Sequence, residues 1–252
     1  MNFTLITQLI LILLFVYFII STILGNNIFL IIFWKVFNYS KRKIFLNKLD
    51  SINYFEYNNK TEKEEFIKII LNSFKYKYNS FWKEDIYSII HPFTFKLDCR
   101  SYFIDFYESF VIDKFGIHDK WGYIIDENSK LDFFLNFTNK IGLEIKFSEI
   151  NYLDKEENEF KFDLEVNKTK YTLNQNYENE YFEHELIYQL IKILNDELTK
   201  INSKEKIYFI EDYPITIIFL NLKIYNYLST LKPIEKRPLS PEEWKHQKSE
   251  KN

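Results

Sequence analysis

The sequence predicts an α+β fold: a single amino-terminal transmembrane helix, then a soluble domain with helices on one face of a small antiparallel sheet. Three observations predict it. Residues 5–24, LITQLILILLFVYFIISTIL, contain no charge, proline or glycine. Apolar residues then recur at helical spacing through much of residues 61–142. From Leu143 the period changes to two, most plainly in residues 159–173, EFKFDLEVNKTKYTL.

Each element follows in order. Twenty helical residues at about 1.5 Å each span about 30 Å, the depth of the hydrocarbon layer. A shorter apolar run, residues 28–34, reads as an interfacial continuation to residue 37, with Trp34 and Phe37 at headgroup level. No Lys or Arg precedes the span, and Lys41-Arg42-Lys43 follows it. This asymmetry places the large carboxyl-terminal part on the cytoplasmic side. A secretory signal peptide, the competing reading, would have a basic start and a small-residue cleavage site, and neither is present. Residues 1–37 are therefore expected to be anchor and interfacial extension, in contact with membrane lipid from residue 5.

Residues 38–60 show no sustained period and read as a connector. Thr61 and Glu64 have capping-box spacing, and Phe66, Ile67, Ile70, Leu71 and Phe74 follow as one stripe, so a helix is expected over 61–77. A shorter helix over 80–90 ends at His91-Pro92. Phe103, Phe106, Phe110 and Ile112 suggest a helix over 101–115, stopped by Gly116. Residues 121–125 suggest a strand and 129–142 another helix. Leu143, Ile145 and Phe147 alternate with polar residues as a strand, and residues 154–158 form a charged turn. Phe160, Phe162, Leu164 and Val166 face one way and Glu159, Lys161, Asp163 and Glu165 the other, with Asn167-Lys168 at a tight hairpin turn. Such a hairpin has one face in water. Residues 181–200 form the strongest soluble helix, with Leu186, Ile187, Leu190, Ile191, Leu194 and Leu198 in one stripe. Residues 207–210 and 215–220 are strands; the second is nearly all apolar, as befits a central strand covered on both faces. Residues 221–231 form a last helix. Residues 61–231 thus make up the soluble domain, and the Pro- and charge-rich residues 232–252 are expected to be a disordered tail.

Composition narrows the chemistry. The chain has 252 residues, a net charge of −3, and 19% aromatic residues. An AT-rich genome favours Phe, Tyr, Ile, Asn and Lys, so their abundance points to no function, and five N-x-S/T triplets are expected by chance in so Asn-rich a chain. The charge gives no global field for nucleic acid. A single cysteine, Cys99, rules out an intrachain disulfide framework and a cysteine-based zinc cluster. Four glycines, at 25, 116, 122 and 142, provide no G-x-G-x-x-G, Walker loop or G-x-S-x-G elbow, turns that need Gly where a Cβ would clash.

Several constellations remain. Asp132, Glu144 and Lys146 resemble the carboxylate pair and lysine of a metal-dependent nuclease, two acids holding Mg²⁺ while the lysine orients water; strand alternation alone also explains Glu144 and Lys146. His184-Glu185 begins like a zincin helix, but Tyr188 stands where the second histidine is needed. Cys99 and His91 could pair as nucleophile and base only if the fold brings them together. Pro238-Leu239-Ser240-Pro241 has PxxP spacing. Residues 154–165 and Glu178, Glu180, Glu183 and Glu185 are acid-rich. They form either a solvated face or an acidic docking surface that receives a basic protein partner or competes with nucleic acid for it, in which Asp163, Glu165, Glu178 and Glu180 are the candidate partner-binding residues.

The carboxyl-terminal third, residues 151–228, resembles small bacterial proteins of polymorphic toxin systems, immunity proteins among them. The residues carrying the resemblance are the hairpin EFKFDLEVNKTKYTL, the helix EHELIYQLIKILNDEL, the strand KIYFIEDY and the run PITIIFLNLKIYNYL. It implies a non-enzymatic, partner-binding role without a cofactor, and transfers no individual binding residue. In such proteins the last run often ends in a Thr-Pro helix start and the hairpin turn often holds Gly; here Leu220-Asn221 and Asn167-Lys168 stand instead. The function expected is a membrane-anchored, cytoplasm-facing binding module, of immunity or accessory kind. The alternatives are the metal-dependent nuclease and a structural subunit of a membrane complex.

Overall fold

The computed structural model describes residues 16–17, 28–72, 99–105, 111–113, 132–147, 151–154, 159–176, 182–212, 215–231 and 237–250. In chain order the elements are α1 (Ile28–Ser51), α2 (Lys60–Asn72), β1 (Ser101–Asp105), β2 (Val111–Asp113), α3 (Asp132–Lys140), β3 (Ile145–Phe147), β4 (Asn151–Asp154), β5 (Glu159–Val166), β6 (Thr169–Asn176), α4 (Phe182–Lys200), β7 (Glu205–Asp212), β8 (Ile215–Asn221), α5 (Leu222–Ser229) and α6 (Pro241–Glu250). The α+β class holds, but with two four-stranded antiparallel sheets instead of one. The first runs β2-β1-β8-β7. In the second, β5 is central, with β3 and β4 along one edge and β6 along the other.

Three of the four strands of the second sheet were legible, β4 being unexpected with Asp154 placed in a turn; half of the first sheet was not. Residues 101–115, expected as a helix, contain β1 and β2. Tyr102 and Ile104 are both buried, a period of two that the dense aromatic run conceals. β8 is the central strand the apolar run implied: Ile215 through Leu220 are all buried. Alternation sends Ile215, Ile217 and Phe219 into one core and Ile218 and Leu220 into another. The larger core gathers β8 and β1 with Phe134 and Phe137 of α3, the stripe of α4, and Leu164, Val166 and Leu173 of the second sheet. All six stripe residues of α4 are fully buried, because this helix packs on both β6 and β7. The smaller core joins β8 to Phe45, Leu46 and Leu49 of α1, Phe66 of α2, and Ile224 and Leu228 of α5.

Residues 38–51, expected as connector, are helical and part of that smaller core. Asn38, Tyr39, Ser40 and Asn47 are mediocre helix formers and hide the buried triplet Phe45, Leu46 and Leu49. Arg42 of the basic cluster is itself buried, whereas Lys43 is exposed. The capping box of α2 sits two residues earlier than expected. Asn59 Oδ1 accepts from the Glu62 amide at 2.9 Å and Glu62 Oε2 from the Asn59 amide at 2.8 Å, so Asn59 is the N-cap. The hairpin turn has positive φ at both Asn167 (48°) and Lys168 (68°), the primed turn that suits strand twist.

The expected disordered tail contains α6. Ser240 and Glu243 form a capping box, with Pro241 in the first helical position. Trp244, 2% exposed, stacks on Phe209 with centroids 4.2 Å apart and planes 8° apart. One buried tryptophan is enough to dock a segment whose overall composition is polar. The same segment closes the outer edge of β7. Phe209 and Leu239 exchange two backbone hydrogen bonds of 2.8 Å, and the amide of Asn195 serves both backbone groups of Ile207, donating to its carbonyl at 3.0 Å and accepting from its N–H at 2.8 Å.

Among the described residues no helix is long and apolar enough to cross a membrane. The span expected over 5–24 lies outside them except for Val16 and Tyr17, which are helical. Also outside them lie the helix expected over 80–90, the strand over 121–125, most of the turn over 154–158, and Glu178 and Glu180.

Candidate partner-binding surface

The water-facing side of the second sheet holds the two described candidate residues, Asp163 and Glu165, two positions apart on β5. Register places Glu165 between Lys146 of β3 and Lys170 of β6, and Asp163 opposite Thr172. Lys146 Nζ lies 3.2 Å from Glu165 and 3.3 Å from Glu144. Its ammonium is held above its ordinary pKa by hydrogen bonds to Glu165 and then Glu144. The Thr172 hydroxyl donates to Asp163. The face is therefore a lattice of alternating charge, in which the lysines of β3 and β6 offset the acids of β5. Exposed pairs of this kind contribute little to stability, so they are available to rearrange around a partner at little cost.

The opposite face of the hairpin is tied to α4 by a polar cluster. The Tyr171 hydroxyl donates to Glu197, as does Lys200 Nζ at 2.6 Å. The Glu197 side chain is only 3% exposed. Burial alone would raise its pKa, but hydrogen bonds from Lys200 and Tyr171 outweigh burial and lower it. A carboxylate with a depressed folded pKa stabilises the fold above its unfolded pKa and loses that contribution as pH falls through the folded value. Glu197→Gln is therefore expected to be less stable than the parent at neutral pH, with the gap closing as pH drops below about 4. Urea unfolding midpoints across that range check it.

The nuclease-like triad is only partly assembled. Glu144 and Lys146 touch, while Asp132 opens α3 and Glu144 follows the far end of that nine-residue helix. Among the described residues no three His, Cys, Asp or Glu side chains come together as a metal site. The zincin-like segment receives the tail instead: the His184 ring lies 5.6 Å from Trp244, Glu185 pairs with Lys245 at 3.0 Å, and Lys245 Nζ lies 4.4 Å above the Tyr188 ring. Leu239 of the PxxP segment is a strand partner. Cys99 Sγ donates to Asn58 Oδ1 at 3.5 Å, and His91 lies outside the described residues.

Sequence reasoning missed the most concentrated polar site. Arg100, fully buried, pairs at 2.9 Å with fully buried Glu205 and donates to the carbonyls of Tyr54 (2.7 Å), Phe219 (3.1 Å) and Asn53 (3.4 Å). The Tyr57 hydroxyl donates to Glu205 at 3.3 Å, and the guanidinium lies 4.9 Å from the Tyr57 ring centre. Burial, then the Glu205 charge, pushes the Tyr57 phenol far above its ordinary pKa. The partners are 105 residues apart in the chain, a spacing that no local motif reveals. A polar cleft of about 260 Å³ lies between α4, β7 and the start of α6, with Lys192, Asn195, Asp196 and Lys206 in its walls. Burial lowers the Lys206 pKa, partly countered by Asp196; its ammonium already donates to the Asn195 carbonyl at 3.0 Å and to the Thr199 hydroxyl.

Comparison with protein-family models, with curated proteins and with solved structures finds no match for the chain.

Proposed function

We propose that this chain is a membrane-anchored, non-catalytic binding protein whose α+β domain faces the cytoplasm and meets a protein partner through the water-facing side of its second sheet. One observation carries the proposal. A continuous helix, α1, begins in an apolar sequence beside the span of residues 5–24, carries the basic cluster, and ends in the smaller core. The interfacial run, the topogenic charge and a buried edge of the folded domain thus share one element. The resemblance to immunity-type proteins supports the choice of a protein partner, and the hairpin face, where acids alternate with lysines, suits a partner of mixed charge.

Two measurements test this reading. After cell disruption without detergent the chain is expected in the membrane pellet; recovery of intact chain wholly in the supernatant refutes the anchor. From detergent, the chain is expected to bring down a discrete protein. Reversing Asp163 and Glu165 to lysine, together with Glu178 and Glu180, is expected to weaken that complex at least tenfold, about 1.4 kcal/mol. An unchanged complex removes the sheet face from the proposal and leaves the anchor standing.

A further inference from the structure

Resting on the anchor proposed above, we propose that the outward side of α1 lies against an anionic phospholipid surface, so that the domain is held on the membrane in one orientation and does not swing on a loose tether. The basis is helical continuity. Residues 38–51 belong to the same helix as the apolar run 28–34. Phe45, the first buried apolar residue of the smaller core along the chain, follows Trp34 by eleven residues, about 16 Å of helix. The headgroup layer on each side of a bilayer is roughly 5–8 Å deep. With Trp34 at its inner boundary, Ile44, ten residues on and about 15 Å of helix away, meets that layer when α1 lies along the surface, the orientation proposed.

The exposed side of α1 has the chemistry for this neighbour. Arg42, Phe45, Leu46 and Leu49 point into the domain; Tyr39 is 48% and Ile44 69% exposed, and Lys43 and Lys48 are exposed too. Between residues 28 and 49 the helix carries Lys35, Lys41, Arg42, Lys43 and Lys48 and no acid. Its one acid, Asp50, is paired with Lys63 at 2.6 Å. Apolar residues set among lysines beside a bilayer match an anionic leaflet, where apolar side chains enter the interface and ammonium groups meet phosphates.

The test uses the full chain, with Cys99→Ser, labelled with an environment-sensitive fluorophore at Ile44→Cys or at Lys140→Cys. Lys140 is exposed at the end of α3, which packs in the other core. The chain is reconstituted in phosphatidylcholine vesicles with or without roughly a third phosphatidylglycerol. Expected is at least about threefold weaker iodide quenching at position 44 than at 140 in the anionic vesicles, with the difference shrinking in neutral vesicles and in Lys43→Glu/Lys48→Glu. Equal quenching at both positions, in chain that floats with the vesicles, overturns the orientation and spares the anchor. Chain that does not float overturns both. Melting curves of the labelled variants that match the parent exclude unfolding as the cause.

Discussion

Replacing Arg100 by methionine is expected to cost about 3–5 kcal/mol of folding stability, because it leaves an uncompensated carboxylate in the interior. Of these contacts the Glu205 carboxylate would keep the Tyr57 hydroxyl, and the carbonyls of Tyr54 and Phe219 would lose the guanidinium donor. Those contacts join the turn after α1 to the ends of β1, β7 and β8, so the loss falls on the whole domain and not on a terminus. Removing both charges, in Arg100→Met/Glu205→Met, is expected to recover more than half of the loss, since two well-packed apolar groups need no compensation. Urea unfolding of the parent, both single variants and the double variant forms the necessary cycle. A single-variant cost under about 1 kcal/mol would show that water reaches the pair and that the buried bridge does not organise the fold.

Trp244→Ala is expected to have the second-largest effect, up to about 3–5 kcal/mol at its site. Its ring is nearly fully enclosed and stacked on Phe209; the segment is also held by two backbone bonds at Leu239, by the packing of Leu239 on the larger core, and by an exposed ion pair and ring contact from Lys245. The loss is therefore expected as release of residues 237–250, with global unfolding little changed. Limited proteolysis should cut within this segment at least tenfold faster in the variant, while α4 and β7 keep their hydrogen-exchange protection. Loss of protection across the larger core would instead make the tryptophan integral to it.

The legible and illegible parts of this chain differ for physical reasons. The stripe of α4, the alternation of β5 and the apolar run of β8 were readable because each spans enough residues for one period to dominate. β1 and β2 read as helix because eight of the twelve residues 101–112 are apolar, five of them aromatic, a density that fits either period. α1 was hidden because its core contacts are three residues among lysines and asparagines. α6 was hidden because composition, which argued for disorder, gives no weight to a lone Trp244, although Ser240-Pro241-Glu242-Glu243 carries a helix-start signature that could have exposed it. For the candidate surface, Asp163 and Glu165 were placed on the correct side, but Lys146 and Lys170 came beside them only through strand register, which pairs residues up to 19 apart.

The sealed rim of β7 has a further consequence. A strand with open backbone groups at a sheet margin recruits other chains, and here one guard is the Asn195 side-chain amide on α4 and the other is the backbone of Leu239. A premature stop ahead of Leu239, or leucine at position 195, should leave most of the fold in place yet expose an unsatisfied rung. The damage from such lesions would appear first as turbidity that grows with protein concentration, and only later as a lowered melting point.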